Sequence, residues 1–128
     1  MIERLLSKSR QALATAARDL DNGDTDAAAN RSYYAVFYAS WAMFAAHGLD
    51  TPKTHSGMIA EFGKQFVKHG PFDRELGATM GKLASLRAYA DYTLEPTPRE
   101  KAELALRSAS AFVSTIEAEI SRKCQSKD

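Results

Sequence analysis

Residues 30–47 read NRSYYAVFYASWAMFAAH, and wound as a helix they leave no polar stripe for water. Tyr34, Tyr38, Trp41 and Ala45 fall on one side, while Tyr33, Phe37, Ser40 and Phe44 fall on another. A helix that is apolar nearly all round has to be covered by more than one neighbour. The stretch is therefore expected to be the central helix of a bundle, or to serve a subunit interface as well. Asp24 or Thr25 can cap its start, and Gly48 stops it.

The flanking sequence supplies the neighbours. Residues 2–21 place Ile2, Leu5, Leu6, Leu13, Ala16, Ala17 and Leu20 on one stripe at helical spacing, closed by Asn22-Gly23. Downstream, Thr51-Pro52 favours a break, after which Thr54 or Ser56 can cap a third helix carrying Met58, Ile59, Phe62, Phe66 and Val67 as far as Gly70. A fourth helix follows Pro71 with Leu76, Met80, Leu83, Leu86 and Ala90. Gly77 and Gly81 within it cost about 1 kcal/mol each relative to Ala, which points to a close helix approach. Thr97, Pro98 and Glu100 read as the N-cap, N1 proline and N3 carboxylate of a capping box that opens the last helix. Its expected buried stripe is Leu104, Ala105, Ala109, Phe112, Val113, Ile116 and Ile120, and the polar chain from Arg122 is expected to fray. Nothing alternates with period two for long enough to be a strand. The expected class is all-α, an up-and-down bundle of four to five helices. It forms a single domain over residues 1–128, with its core at about 2–122 and a polar C-terminal tail.

Composition narrows the partners. The 17 basic and 16 acidic residues nearly cancel, so no global field draws the chain to nucleic acid, and any such contact has to be local. Cys124 has no second cysteine in the chain, which excludes an internal disulfide and a multi-cysteine zinc site and fits a reducing compartment. Ile2, Leu5 and Leu6 are interrupted at once by Ser7, Lys8, Ser9 and Arg10, leaving no signal-peptide core, and no later stretch is long enough to span a bilayer. A cytoplasmic protein without a membrane partner is expected. HExxH, GxGxxG, the P-loop and a Glu-x-x-His pair are all missing, so neither a metal nor a cofactor is expected.

Polar groups inside apolar helices carry the functional information, because a charge is costly to bury unless it is paired or used. Arg87 and Asp91 lie four apart on one helix face, and Arg31 shares a face with Tyr34. If these faces meet, Arg31, Tyr34, Arg87, Asp91 and Tyr92 form one polar cluster. On one reading Asp91 neutralises an arginine and the tyrosines hydrogen-bond across the bundle. On the other, the two planar guanidiniums bind phosphate. The segment PKTHSG adds Lys53 and His55 at a helix start, where backbone N–H groups can receive an anion. His47 and His69 each precede a helix-ending glycine, a position where a cation suits the helix dipole.

NRSYYAVFYASWAMF followed by PKTHSG, FGKQFVKHG and LRAYADY closely resembles the short bacterial and archaeal branch of the HEPN family, over about residues 2–122. The resemblance implies a four- or five-helix bundle, a homodimer, and pairing with a minimal nucleotidyltransferase in toxin–antitoxin-like modules. In many HEPN ribonucleases an arginine and a histidine separated by four to six residues form a metal-independent catalytic motif. Arg87 matches the arginine, but Ala88 to Leu94 contain no histidine, and Tyr92 stands where the shortest spacing places one. A phenol with a pKa of about 10 is a poor base at neutral pH. The leading expectation is thus a nucleotide-, RNA- or partner-binding module. A degenerate ribonuclease using Arg87 with Tyr92 or His55, and a purely structural interaction subunit, are the alternatives.

Overall fold

A computed structural model describes residues 1–125, which form five α-helices: α1 (Ile2–Asp21), α2 (Thr25–Ala46), α3 (His55–Phe62), α4 (Arg74–Tyr92) and α5 (Arg99–Gln125). The helices pack together as an all-α bundle. Helix α2 is the central one, in contact with α1, α5, α4 and α3. It meets α1 and α5 through small residues: Ala28, Ala35, Ala39 and Ala42 are fully buried, and the Ser9 hydroxyl of α1 donates to the Ala35 carbonyl at 2.7 Å. At its other end Phe44 joins Phe62, Phe66, Phe72 and Phe112 in a ring cluster with Met58 and Met80.

Side chains close the helix ends. Asp24 caps α2 through the Ala27 N–H, Thr54 caps α3 through the Gly57 N–H, and Asp73 caps α4 through the Leu76 N–H. After α1 and α2 the chain turns with positive φ at Gly23 (81°) and Gly48 (67°), where a side chain would be strained. His47 caps the end of α2 by donating from Nδ1 to the Met43 carbonyl at 3.0 Å.

The structure departs from the sequence expectations at five points. Thr97 is not the N-cap of a capping box. Its N–H and hydroxyl both donate to Asp26 Oδ1, at 2.8 and 2.6 Å, so it ties the start of α5 to the first turn of α2. Arg99 completes this junction by donating to the Leu20 carbonyl at the end of α1. Leu104 is 56% exposed rather than buried, because it lines an open groove between α4 and α5 that no further helix covers. Helix α5 does not fray at Arg122 but runs to Gln125, with Arg122 paired to Glu119, while the rest of the expected tail lies outside the described residues. The third helix changes after Phe62 into a wider π-helical turn, Gly63–Lys68. Finally, only Gly77 permits close approach: a Cβ there would meet a Val67 methyl at 2.7 Å, whereas at Gly81 it would meet nothing within 4 Å.

Gly70 is the tightest of these positions, since a Cβ would lie 2.4 Å from the Phe66 Cα and 2.7 Å from the Gln65 carbonyl oxygen. Gly70→Ala is expected to lower unfolding stability by about 1–3 kcal/mol through overpacking. Gly81→Ala should instead raise it by up to about 1 kcal/mol through helix propensity. Urea denaturation of the two variants checks both, and a stable Gly70→Ala protein would contradict the packing described.

Candidate functional site

The polar centre lies where α2, the start of α3 and the end of α4 meet. Tyr33 is fully buried on α2, and its hydroxyl hydrogen-bonds to Nδ1 of His55, the first residue of α3. The imidazole stacks on Phe37 with centroids 4.8 Å apart and on Tyr33 at 5.4 Å, and meets Tyr34 edge-on at 6.0 Å. From α4 the Arg87 guanidinium packs 5.3 Å from the centroids of both Tyr33 and Tyr34. Arg31 packs 5.1 Å from the same Tyr34 ring and donates to Asn30 Oδ1. Two cations and an imidazole thus share a floor of three aromatic rings.

Asp91 reaches Arg87 only loosely. Its Oδ2 lies 3.9 Å from Arg87 Nε, beyond hydrogen-bond distance, and that Nε is buried without a hydrogen-bond partner. The Asp91 side chain is half exposed, so the pair is screened and leaves Arg87 most of its charge.

The protonation states follow from burial. Burial pushes the Tyr33 phenol up to about 12, although Arg87 draws it back. Burial lowers the His55 pKa, and the Arg87 charge lowers it further, so the ring is neutral at pH 7. The phenol keeps its proton and has one acceptor within reach, so it donates to Nδ1. The proton of the neutral imidazole is therefore on Nε2, which has no protein partner among the described residues. The site as built offers N–H donors from Arg31, Arg87 and His55, which suits an oxyanion.

Of the residues singled out in the sequence, Arg31, Tyr34, His55, Arg87 and Asp91 come together. Tyr92 does not: it is 88% exposed and makes no hydrogen bond or ring contact with Arg87 or His55. Lys53 is exposed and shares no hydrogen bond or ion pair with the cluster. Tyr33 was missed by sequence reasoning, since a tyrosine in an apolar run reads as core. Its position four residues before Phe37, on the face that His55 covers, was the available signal. Among the described residues no three His, Cys, Asp or Glu side chains gather to hold a metal ion, and no helix is long and apolar enough to cross a membrane.

The depressed His55 pKa is linked to stability. The unfolded chain takes up this proton near pH 6.5 while the folded site resists it, so the contribution is complete above about 6.5 and is lost as pH falls below it. Protonation would also turn Nδ1 into a donor facing the Tyr33 hydroxyl. The melting temperature is expected to drop between about pH 7 and about pH 5, less steeply in His55→Gln. Tyr33→Phe should raise the His55 pKa in an NMR titration. An unchanged pKa would remove the Tyr33 hydrogen bond from this account.

A comparison with protein-family models matches the HEPN domain over residues 2–119. Among curated proteins, the chain is 36% identical over 118 residues to a UPF0332 protein of Thermotoga maritima, covering 91% of this chain and 89% of that one. It is 33% identical over 115 residues to a Methanocaldococcus jannaschii protein named "Putative toxin MJ0605", covering 90% and 85% of the two chains. A second protein of that organism, "Putative toxin MJ0142", is 31% identical over 114 residues, covering 88% of this chain and 76% of its own. With its five-helix bundle and an arginine on α4 facing the central helix, this chain belongs to the HEPN family.

Proposed function

We propose that this HEPN chain is a toxin-like module whose Arg31–His55–Arg87 cluster binds the phosphate of a nucleotide or RNA. One observation carries the reading: Arg87 and His55 share the Tyr33 and Tyr34 rings, Arg31 packs on the same Tyr34 ring, and the one carboxylate paired with them among the described residues, Asp91, is loosely held. A structural ion-pair network would balance its charges, and this one does not. The family membership and the two relatives named as toxins support the toxin-like reading; a toxin–antitoxin-like pair with a minimal nucleotidyltransferase, in the cytoplasm, is the further part of the proposal.

A homodimer fits the exposed apolar residues at the end of α4 and beyond it. Tyr89 is 46% exposed, Tyr92 88%, Leu94 104% and Leu104 56%, which leaves apolar surface that a second copy or the partner would cover. Light scattering behind size exclusion is expected to give a dimer mass for the protein and a monomer mass for a Leu94→Asp/Leu104→Asp variant. A wild-type monomer would refute the dimer.

A ribonuclease reading is favoured by one observation: a neutral His55 shares its tyrosine contacts with Arg87, as a spatial substitute for the absent motif histidine. Against it, Nε2 carries the proton, so the exposed nitrogen is a donor and not a base. An interaction subunit without ligand would instead co-purify with a nucleotidyltransferase and bind no nucleotide.

Calorimetric titration with AMP and with a short RNA separates the three. Arg87→Ala is expected to weaken binding by about tenfold or more, the worth of a charge-assisted hydrogen bond, while Tyr92→Phe changes little. The purified protein should leave RNA intact. Cleavage that disappears in both Arg87→Ala and His55→Ala would establish the ribonuclease, and no binding in any variant would leave the interaction subunit.

A further inference from the structure

A second group of cations lies one turn along α2 from the site. Lys8 Nζ packs 5.4 Å from the Tyr38 ring centroid, much as Arg31 packs on Tyr34, and the Tyr34 and Tyr38 centroids are 6.1 Å apart. Lys8, Gln11, Thr15, Arg31 and Tyr38 line an open groove of about 260 Å³ between α1 and α2, with no carboxylate in its walls. On α1 the polar positions 8, 11, 15 and 18 recur at helical spacing, and Arg18 donates to the Thr15 hydroxyl at 3.3 Å.

The charge here is uneven for a chain of net charge +1. Arg10, Arg99 and Arg122 are each spent on a glutamate: Glu117, Glu103 and Glu119. Lys8, Arg18 and Arg31 have no ion pair among the described residues. Tyrosine rings hold Lys8 and Arg31 in place without neutralising them, which a carboxylate would do. Arg31 belongs to both places, lining the groove and sharing the Tyr34 ring with Arg87. The cations therefore make one continuous line across two adjacent helices, whose axes are about 8–10 Å apart. Such a line follows one phosphate backbone, with the partly exposed Tyr34 and Tyr38 rings beside it as stacking surfaces for unpaired bases.

We infer that the α1–α2 groove is a second phosphate subsite, into which a single-stranded nucleic acid continues from the Arg87–His55 site past Tyr34, with Arg31 at the middle of the groove, Tyr38 and Lys8 toward one end and Arg18, beside Thr15, toward the other. The inference rests on the proposed phosphate binding at Arg87 and extends it from a nucleotide to a strand. A strand reaches groove residues that a mononucleotide cannot, so the two ligands respond differently to substitutions there.

The test measures binding of fluorescent oligouridylate, oligothymidylate and AMP over a range of salt concentrations. The variants are Lys8→Ala/Arg18→Ala, Arg87→Ala and Lys64→Ala/Lys82→Ala, the last a pair of exposed lysines outside the groove that controls for the loss of two charges. The double variant is expected to bind the oligonucleotides about three- to tenfold more weakly. Its log–log salt slope should be shallower by about 0.7 for each phosphate that is no longer neutralised, with AMP affinity unchanged. Binding of both oligonucleotides assigns the groove to any single strand, and binding of oligouridylate alone assigns it to RNA. Oligonucleotide affinity equal to that of Lys64→Ala/Lys82→Ala, or an equal weakening for AMP, overturns the groove while leaving the Arg87 site standing. Wild-type protein that binds neither AMP nor oligonucleotide overturns both. Circular dichroism melts confirm that each surface variant is folded.

Discussion

The structure depends on one constraint: α2 has no face it can give wholly to water. Its run of alanines and aromatic rings has to be covered, and α1, α4, α5 and the start of α3 are what cover it. Small residues face the long helices α1 and α5, where backbones approach closely, and large rings fill the space toward α3 and the π-helical turn. The phenol of Tyr33 is carried into this interior, where leaving a hydroxyl unpaired is costly. His55, at the first turn of α3, supplies the partner. A core requirement thus brings an imidazole to the spot where Arg87 also packs.

This arrangement makes the aromatic rings structural and electrostatic at once. Cation–π contacts let the bundle hold Arg31 and Arg87 beside an apolar floor without a buried carboxylate for each. The buried Nε of Arg87, 3.9 Å from Asp91, shows how incomplete the neutralisation is. Ser32 and Ser40 also keep buried hydroxyls without a partner, and the contacts of α2 offer no physical account of them.

Much of the fold was legible because it rests on periodicity and caps. The span of α2, the stops at Gly23 and Gly48 and the choice between Thr54 and Ser56 as caps are local matters, decided within a turn or two of sequence. Thr97 shows where that logic stops. Its local pattern matches a capping box, but Asp26, 71 residues away, offers a carboxylate that takes both of its donors. Leu104 fails for a related reason, since spacing names a stripe but not whether a neighbour covers all of it. In the site, Arg31, Tyr34 and Arg87 were legible as charges and hydroxyls set in apolar helices. Tyr33 was not, because its partner comes from another element, and Tyr92 was misplaced because a motif spacing says nothing about exposure.

The absent motif histidine acquires a different meaning in three dimensions. In sequence the position after Arg87 is simply empty of imidazole, which argues against base catalysis. In the fold an imidazole stands beside Arg87 after all, delivered by α3. Its proximity makes it a candidate base, and its lowered pKa keeps it neutral at pH 7 while weakening its basicity. The Tyr33 hydroxyl decides otherwise, because a phenol held protonated up to about pH 12 occupies Nδ1 and leaves the proton on the nitrogen that faces outward. The same hydrogen bond that satisfies the core therefore converts a catalytic-looking pair into a set of anion donors. The proposal of binding without cleavage thus rests on the buried phenol as much as on the missing residue.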